Sequence, residues 1–187
     1  MVVHDFKTSL AKSHAQTDAP WWREVYEQAF PGLVSMICVR GDGWAQRGGI
    51  DRVLTLGSGK THTVDEKVRD KAWPDILLEI WSDEKRRKLG WIQKELACDY
   101  IAYAFIPIAT CYLLPFPTLR RAWRANGQDW IARFPRIEAK NPGYVTVSVA
   151  VPIGDLLNAM NDAMTVYWSR MSQSRAMSLV EAKDKGW

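Results

Sequence analysis

Cysteine is scarce in this chain, and Cys38, Cys98 and Cys111 are an odd number, far apart, with no Cys-x-x-Cys pair. That pattern excludes a disulfide framework and a zinc cluster and fits a reducing cytoplasm. Histidine is equally sparse, and His4, His14 and His62 lack ligand spacing. The opening MVVHDFKTSLAKSHAQTDAP has no apolar run of the kind a signal peptide needs, which predicts a cytoplasmic protein. The most apolar stretch, Cys98 to Phe116, is interrupted by Asp99, Pro107 and Pro115. It predicts a buried helix running into a buried strand, and no membrane partner. Neither sign of charge dominates: 25 Lys and Arg against 21 Asp and Glu give a net +4 and a pI of about 9.0. The excess is compatible with a polyanionic partner without requiring one. Internal repeats and low-complexity linkers are absent.

What is present is an ordinary globular composition, 47% hydrophobic and 25% charged over 187 residues, which predicts one domain. Ten Trp and six Tyr can anchor a thick core or line a groove. Residues 1–17 are polar and aperiodic, a flexible arm; 172–187 form a polar tail; 18–171 form the domain. Asp18 is placed to cap a helix over DAPWWREVYEQAF, with Trp22, Val25, Tyr26 and Phe30 on one face. Pro31-Gly32 ends it, and LVSMICVR from Leu33 predicts a buried strand. A glycine-rich loop, GDGWAQRGG, leads to the strands IDRVLTL, THTVDEKVR and DILLEIW. Charged SDEKRRKLG is a solvated connection, and Trp91 to Phe105 predicts a helix through Ile92, Leu96, Tyr100 and Tyr103. TCYLLPF is a strand, TLRRAWRANGQDWIARF one or two helices broken at Asn126-Gly127, and YVTVSVAV a strand before a helix near Ile153. This order predicts an α/β (α+β) chain with a mixed central sheet flanked by helices and a C-terminal strand–helix extension.

Gly57-Ser58-Gly59-Lys60-Thr61 resembles the end of a phosphate-binding loop, but the first glycine of that motif would fall at position 54, which is Leu54. The residues that follow alternate as a strand and do not open a helix, so the glycines serve a tight hairpin. A three-residue loop pairs Leu56 with Lys60 and brings Asp51 opposite Asp65; a four-residue loop would bring Glu66 there instead. The shorter loop is favoured. Asp65 and Lys67 then share a face and Glu66 points away. Two adjacent carboxylates repel unless a cation intervenes, and a hard divalent ion prefers such oxygen ligands. An ion on Asp51 and Asp65 suits a scissile phosphate, with Lys67 placed to orient a water or stabilise charge on phosphorus. The plainer reading is a solvated surface hairpin, because short Asp-x-Lys triplets arise often by chance.

Helix, strand, strand with Asp51, strand with Asp65-Glu66-Lys67, helix, strand resembles the αβββαβ core of the PD-(D/E)XK nuclease superfamily, with a restriction-endonuclease-like fold. AQRGGIDRVLTL…THTVDEKVRD is similar to its phage and prophage members, in which a Q-x-x-G-[IV]-D strand precedes a D-E-K strand. The resemblance covers roughly residues 21–116. It implies an Mg²⁺-dependent nuclease, with Mn²⁺ as substitute, in a bacterial cell or phage-infected host. Asp51 and Asp65 would be metal ligands, Lys67 the catalytic lysine and the Glu66 carbonyl an extra ligand. Ile50 stands where the family often has proline, and DILLEIW is an added strand. Glu24, like Glu27, is a helix carboxylate of the kind that supplies a further ligand in some relatives.

Gln46, five residues before Asp51, either reaches the site or satisfies backbone groups of its loop. Glu79 in an apolar strand is costly to bury alone, which fits an ion pair as well as catalysis. Lys85, Arg86, Arg87 and Lys88, with Lys94 beyond, form one basic patch and Arg120, Arg121 and Arg124 a second; both suit phosphates. Trp44 suits core packing or stacking on an unpaired base. The partner implied is nucleic acid, DNA ahead of RNA, and an exposed apolar face in the C-terminal third would make a homodimer. The alternative is a binding or assembly protein on the same fold without turnover, and a third reading is an interaction protein with solvated carboxylates.

Overall fold

The structure, a computed structural model, describes residues 19–161 and 163–169. The expected N-terminal arm, the Asp18 cap and the C-terminal tail lie outside the described residues. Helix α1 (Trp21–Ala29) starts after Pro20 and buries Trp21, Trp22, Val25 and Tyr26 as one stripe. Gly32, with φ +84°, turns the chain into β1 (Leu33–Cys38). β1 is not buried as expected: it is a sheet edge, with Val34 and Ile37 more than half exposed. The loop after it is not wholly irregular either. Asp42 accepts hydrogen bonds from the N–H groups of Trp44 (2.7 Å) and Ala45 (3.1 Å), which caps a short helix α2 (Gly43–Arg47).

The hairpin of β2 (Arg52–Leu56) and β3 (Thr61–Arg69) follows, then β4 (Asp75–Asp83), β5 (Lys88–Leu89), β6 (Tyr100–Phe105) and β7 (Thr110–Pro115). Helix α3 (Phe116–Arg133), β8 (Arg136–Asn141), β9 (Tyr144–Pro152), α4 (Ile153–Asn158) and β10 (Met164–Tyr167) complete the described chain. The strands make two sheets rather than one, in the orders β1-β2-β3-β6-β7-β10 and β5-β4-β9-β8. Within the larger sheet only β3 and β6 run parallel, so the fold is mixed α/β with a mixed sheet and few helices.

The helix expected over Trp91 to Phe105 does not form. Its first half is a set of turns in which the N–H groups of Gln93 and Lys94 both reach the Gly90 carbonyl (3.1 and 3.2 Å); its second half is β6. The apolar residues from Ile101 to Phe105 are buried on both faces of the sheet, and a strand covered on both sides has no alternation to distinguish it from a helix. The β3–β6 crossover therefore runs through β4, β5 and turns. Helix α3 is continuous across Asn126-Gly127, because the missing Cβ of Gly127 leaves room for the Trp123 ring, 3.0 Å from where that atom would sit.

Each face of the larger sheet carries its own core. Helix α1 covers one face, where Trp22, Tyr26, Leu54, Val64, Ala102 and Leu113 pack together. On the other, Ile101, Tyr103, Phe105 and Leu114 meet Ile76 and Leu78 of β4, Val149 and Val151 of β9, and Leu119 and Trp130 of α3. Among the described residues no helix is long and apolar enough to cross a membrane.

Candidate active site

The β2–β3 hairpin supplies the first three side chains. Its ladder pairs Arg52 with Val64 and Thr55 with Thr61, and the Leu56 N–H donates to the Lys60 carbonyl at 2.8 Å. This is the register of a three-residue turn, with Gly59 at φ +83°. Asp51 lies one residue beyond the ladder, and its Oδ2 accepts from the Glu66 N–H at 2.8 Å. The Asp51 carboxylate lies close enough to Asp65 to push the Asp65 carboxyl up. Strand alternation sets Asp65 and Lys67 on one face, and Lys67 Nζ donates to both Asp65 oxygens at 2.7 and 2.8 Å.

Burial dominates the electrostatics here. Asp65 is 6% exposed, and burial pushes its carboxyl up to about 6; the Lys67 ammonium opposes that rise and the Asp51 carboxylate adds to it. For Lys67, burial would lower the ammonium's pKa, but the carboxylates of Asp65, Asp51 and Glu79 hold it above its ordinary value. Glu79 comes from β4, in the smaller sheet. Burial raises its carboxyl against the pull of Lys67 and Lys94 and a hydrogen bond from the Trp91 backbone. Lys67 Nζ sits 5.5 Å over the Trp91 ring. These groups line an open cavity of about 410 Å³, with Gln46 and Lys94 on its rim.

The cavity depends on a close backbone approach. A Cβ on Gly90 would lie 2.0 Å from the Glu79 carbonyl oxygen, so only glycine lets the turn carrying Trp91 and Lys94 dock on β4.

Several expected site residues sit elsewhere. The Glu66 side chain is on the α1 face, with no solvent exposure, and accepts hydrogen bonds from Tyr26 Oη (2.8 Å), Arg52 Nε (2.5 Å) and Arg40 Nη2 (3.1 Å). As a side chain it is a structural anion; only its backbone faces the site. Burial still holds that carboxyl above its ordinary range, against the Arg52, Arg40 and Tyr26 contacts. Glu24 is likewise ruled out as a ligand of this cavity, because α1 packs on the opposite face and Glu24 accepts from the Ser169 N–H at 2.7 Å. Gln46 does both things expected of it: Nε2 donates to the Arg40 carbonyl while the residue lines the cavity. Trp44 is 81% exposed, not core, with the Arg47 guanidinium 4.4 Å over its ring.

The basic patches divide. Arg120 and Arg124 pair with Glu95 on the turn that flanks the cavity, and Arg121 donates to Thr118 Oγ1 at 3.2 Å. Lys85, Arg86 and Arg87 occupy the turn at the far end of the β4–β5 hairpin and Lys88 opens β5, beyond Asp83, which lies roughly 13 Å along β4 from Glu79 at ~3.3 Å per residue. Arg86 there is paired with Asp83 at 2.8 Å. Trp91 is a cavity residue that no sequence motif marks, and Glu79, open to an ion pair or to catalysis from the sequence, is brought within the field of Lys67. The alternation Asp75, Leu77, Glu79 was visible, but not which face of β4 would meet β3.

The residues present suit a hard divalent cation in one respect. Asp51 and Asp65 bring two carboxylates together, and such ions commonly take one or two carboxylates and keep several waters, but Asp51 is already paired with Arg40 at 3.1 Å. Among the described residues no group of three or more His, Cys, Asp and Glu side chains is arranged to hold a metal. The Lys67 ammonium spans both Asp65 oxygens, the position for which a cation would compete. No protein-family model, curated protein or solved structure matches the chain.

Proposed function

We propose that this protein is an Mg²⁺-dependent phosphodiester hydrolase acting on DNA, built on a restriction-endonuclease-like core. The observation that carries the reading is the meeting of Asp51, Asp65 and Lys67 in one cavity at the end of the β2–β3 hairpin. Strand order supports it as well: helix α1 precedes an antiparallel β1-β2-β3 run, and β6 lies parallel beside β3. The crossover through β4 and β5 is a departure from the helix that the resemblance implies.

In this reading Asp51 and Asp65 would hold the ion, with the Glu66 carbonyl as a further ligand, and a bound Mg²⁺ would supply Lewis acidity toward a phosphate oxygen. Lys67, released from Asp65, orients the attacking water and stabilises charge on the phosphorus. Asp51, with Glu79 behind it, favours the protonated form of Lys67. Gln46 and Lys94 lie on the rim where the DNA backbone would pass.

A binding or assembly role without turnover is favoured by one observation: with Lys67 seated on Asp65 and Arg40 3.1 Å from Asp51, the charges already balance. The deciding experiment is Mg²⁺- or Mn²⁺-dependent cleavage of labelled duplex, single-stranded and branched DNA beside Asp65→Ala and Lys67→Ala. Cleavage lost in both folded variants supports the hydrolase; cleavage of nothing, or unchanged cleavage, supports binding alone.

A further inference from the structure

Helix α2 carries the most exposed large aromatic side chain of the described residues, Trp44, at 81%. It stands beside the cavity: Gln46, Arg47, Gly49 and Ile50 of the same segment line the space that holds Asp51, Asp65 and Lys67. The Arg47 guanidinium lies 4.4 Å over one face of the Trp44 ring. With that face covered, so high an exposure leaves the other face open to solvent. An indole left in water forfeits the free energy of burial, which a second ring stacked on it recovers.

The segment that carries the indole is fixed in place. Asp42 caps it through the Trp44 and Ala45 N–H groups, the Gly48 N–H donates to the Trp44 carbonyl (3.1 Å), and the Ala97 N–H donates to the Gly48 carbonyl (2.7 Å). Gln46 holds the Arg40 carbonyl, and the Arg40 guanidinium is 3.1 Å from Asp51, so α2 is tied to a carboxylate of the cavity. The charges divide between the interior and the opening. Inside, Lys67 sits on Asp65 and Arg40 on Asp51. Arg47 on α2 and Lys94 on the turn after Gly90 also line the cavity, and neither forms a salt bridge among the described residues.

We propose that Trp44 is a stacking platform for an unpaired base of the strand being cleaved, which makes single-stranded or locally opened DNA the substrate class. The proposal rests on the hydrolase reading for the identity of the substrate. The base lies on the open face of the indole, with Arg47 on the opposite face, and Arg47 and Lys94 take the phosphates that lead into the cavity. A base inside a duplex is stacked on both sides and has no face to offer, so duplex DNA makes only the phosphate contacts. Every base has a π-face, so the platform tolerates any sequence.

The test is fluorescence-anisotropy binding of a labelled single strand to the full chain in EDTA, where no cleavage contributes. An abasic strand of the same length and charge, and relaxed circular duplex added as an unlabelled competitor, serve as controls. Trp44→Ala is expected to weaken single-strand binding about tenfold, within the range of a lost base–aromatic stack, and Trp44→Phe to restore most of it. Neither change should alter binding of the abasic strand or the circular duplex, which a disturbed fold would weaken as well. Arg47→Ala and Lys94→Ala should each flatten the dependence of log K on log salt by about 0.7, the share of one single-strand phosphate. Single-strand binding unchanged in Trp44→Ala, or an equal loss on all three nucleic acids, would overturn the proposal. So would a salt dependence unchanged in both cation variants, or no DNA binding at all, the outcome if the indole serves a protein partner. The result separates from that of the cleavage assay. Trp44-dependent binding without cleavage keeps the platform and removes the hydrolase, and cleavage with binding indifferent to Trp44 does the reverse.

Discussion

Glu66 lies between two residues assigned to catalysis, yet its carboxylate is buried with Arg52, Arg40 and Tyr26, so its replacement should cost stability before it costs chemistry. Glu66→Gln removes the negative charge from beside Arg52, a side chain only 3% exposed, and turns an amide N–H₂ toward a guanidinium. Breaking a buried pair from one side costs about 3–5 kcal/mol. That is a large part of the ~5–15 kcal/mol that holds a domain folded. With a urea slope of about 2 kcal/mol/M, a loss of ~3 kcal/mol moves the unfolding midpoint down by about 1.5 M.

Tyr26→Phe removes only one hydrogen bond to the charged group and should cost about 1.5–3 kcal/mol. The double change Arg52→Met with Glu66→Leu removes both charges, and should recover much of what Glu66→Gln loses. Urea unfolding followed by circular dichroism reads all three, alongside cleavage at a temperature where every variant is folded. A midpoint moved by less than about 0.3 M in Glu66→Gln would mean that solvent screens the pair, since ~2 kcal/mol/M then gives well under 1 kcal/mol. Cleavage abolished in a fully folded Glu66→Gln protein would refute the assignment of this side chain to the fold.

The raised Asp65 carboxyl has a pH signature. Between its unfolded value near ~4 and about 6 the folded state binds more protons than the unfolded one, so stability falls as pH rises through that window. Asp65→Asn, neutral throughout, should therefore melt above the wild type at pH 8, by an amount that vanishes near pH 4; equal melting shifts at both pH values would contradict the burial argument. Mg²⁺ binding at Asp51 and Asp65 should displace the Asp65 proton, so the carboxyl titration followed by NMR should move from about 6 to below it when Mg²⁺ is added. A titration indifferent to Mg²⁺ would count against the ion. Gly90→Ala inserts a methyl into the Glu79 backbone and should destabilise by at least the ~1–3 kcal/mol of an overpacked core, measurable as a lowered melting temperature.

Much of the fold was legible because its signals are local. The stripe of Trp22, Val25, Tyr26 and Phe30 gave α1, and the Gly57-Ser58-Gly59 turn fixed the register that brings Asp51 beside Asp65. The strands β3, β4, β7 and β9 were visible as β-branched and apolar runs. The segment from Trp91 to Phe105 was misread because a strand buried on both faces has no period-two pattern, and its Ile, Tyr and Phe spacing fits a helix equally well. Strand β8, mostly exposed and charged, alternates only Ile137 and Ala139 with polar residues, a pattern too short to mark a strand.

The amino-acid order by itself determined which residues share a face: Asp65 with Lys67, Glu66 opposite them, and Asp75, Leu77 and Glu79 in alternation. That follows from strand geometry, which needs no partner to be known. Only the tertiary structure decided what each face meets. It put Glu66 against α1 among two guanidiniums, turned Glu24 away from the cavity, and brought Glu79 from a second sheet to within the field of Lys67. Those outcomes depend on contacts between residues far apart in the chain, set by the burial of two separate cores, and no local pattern encodes them.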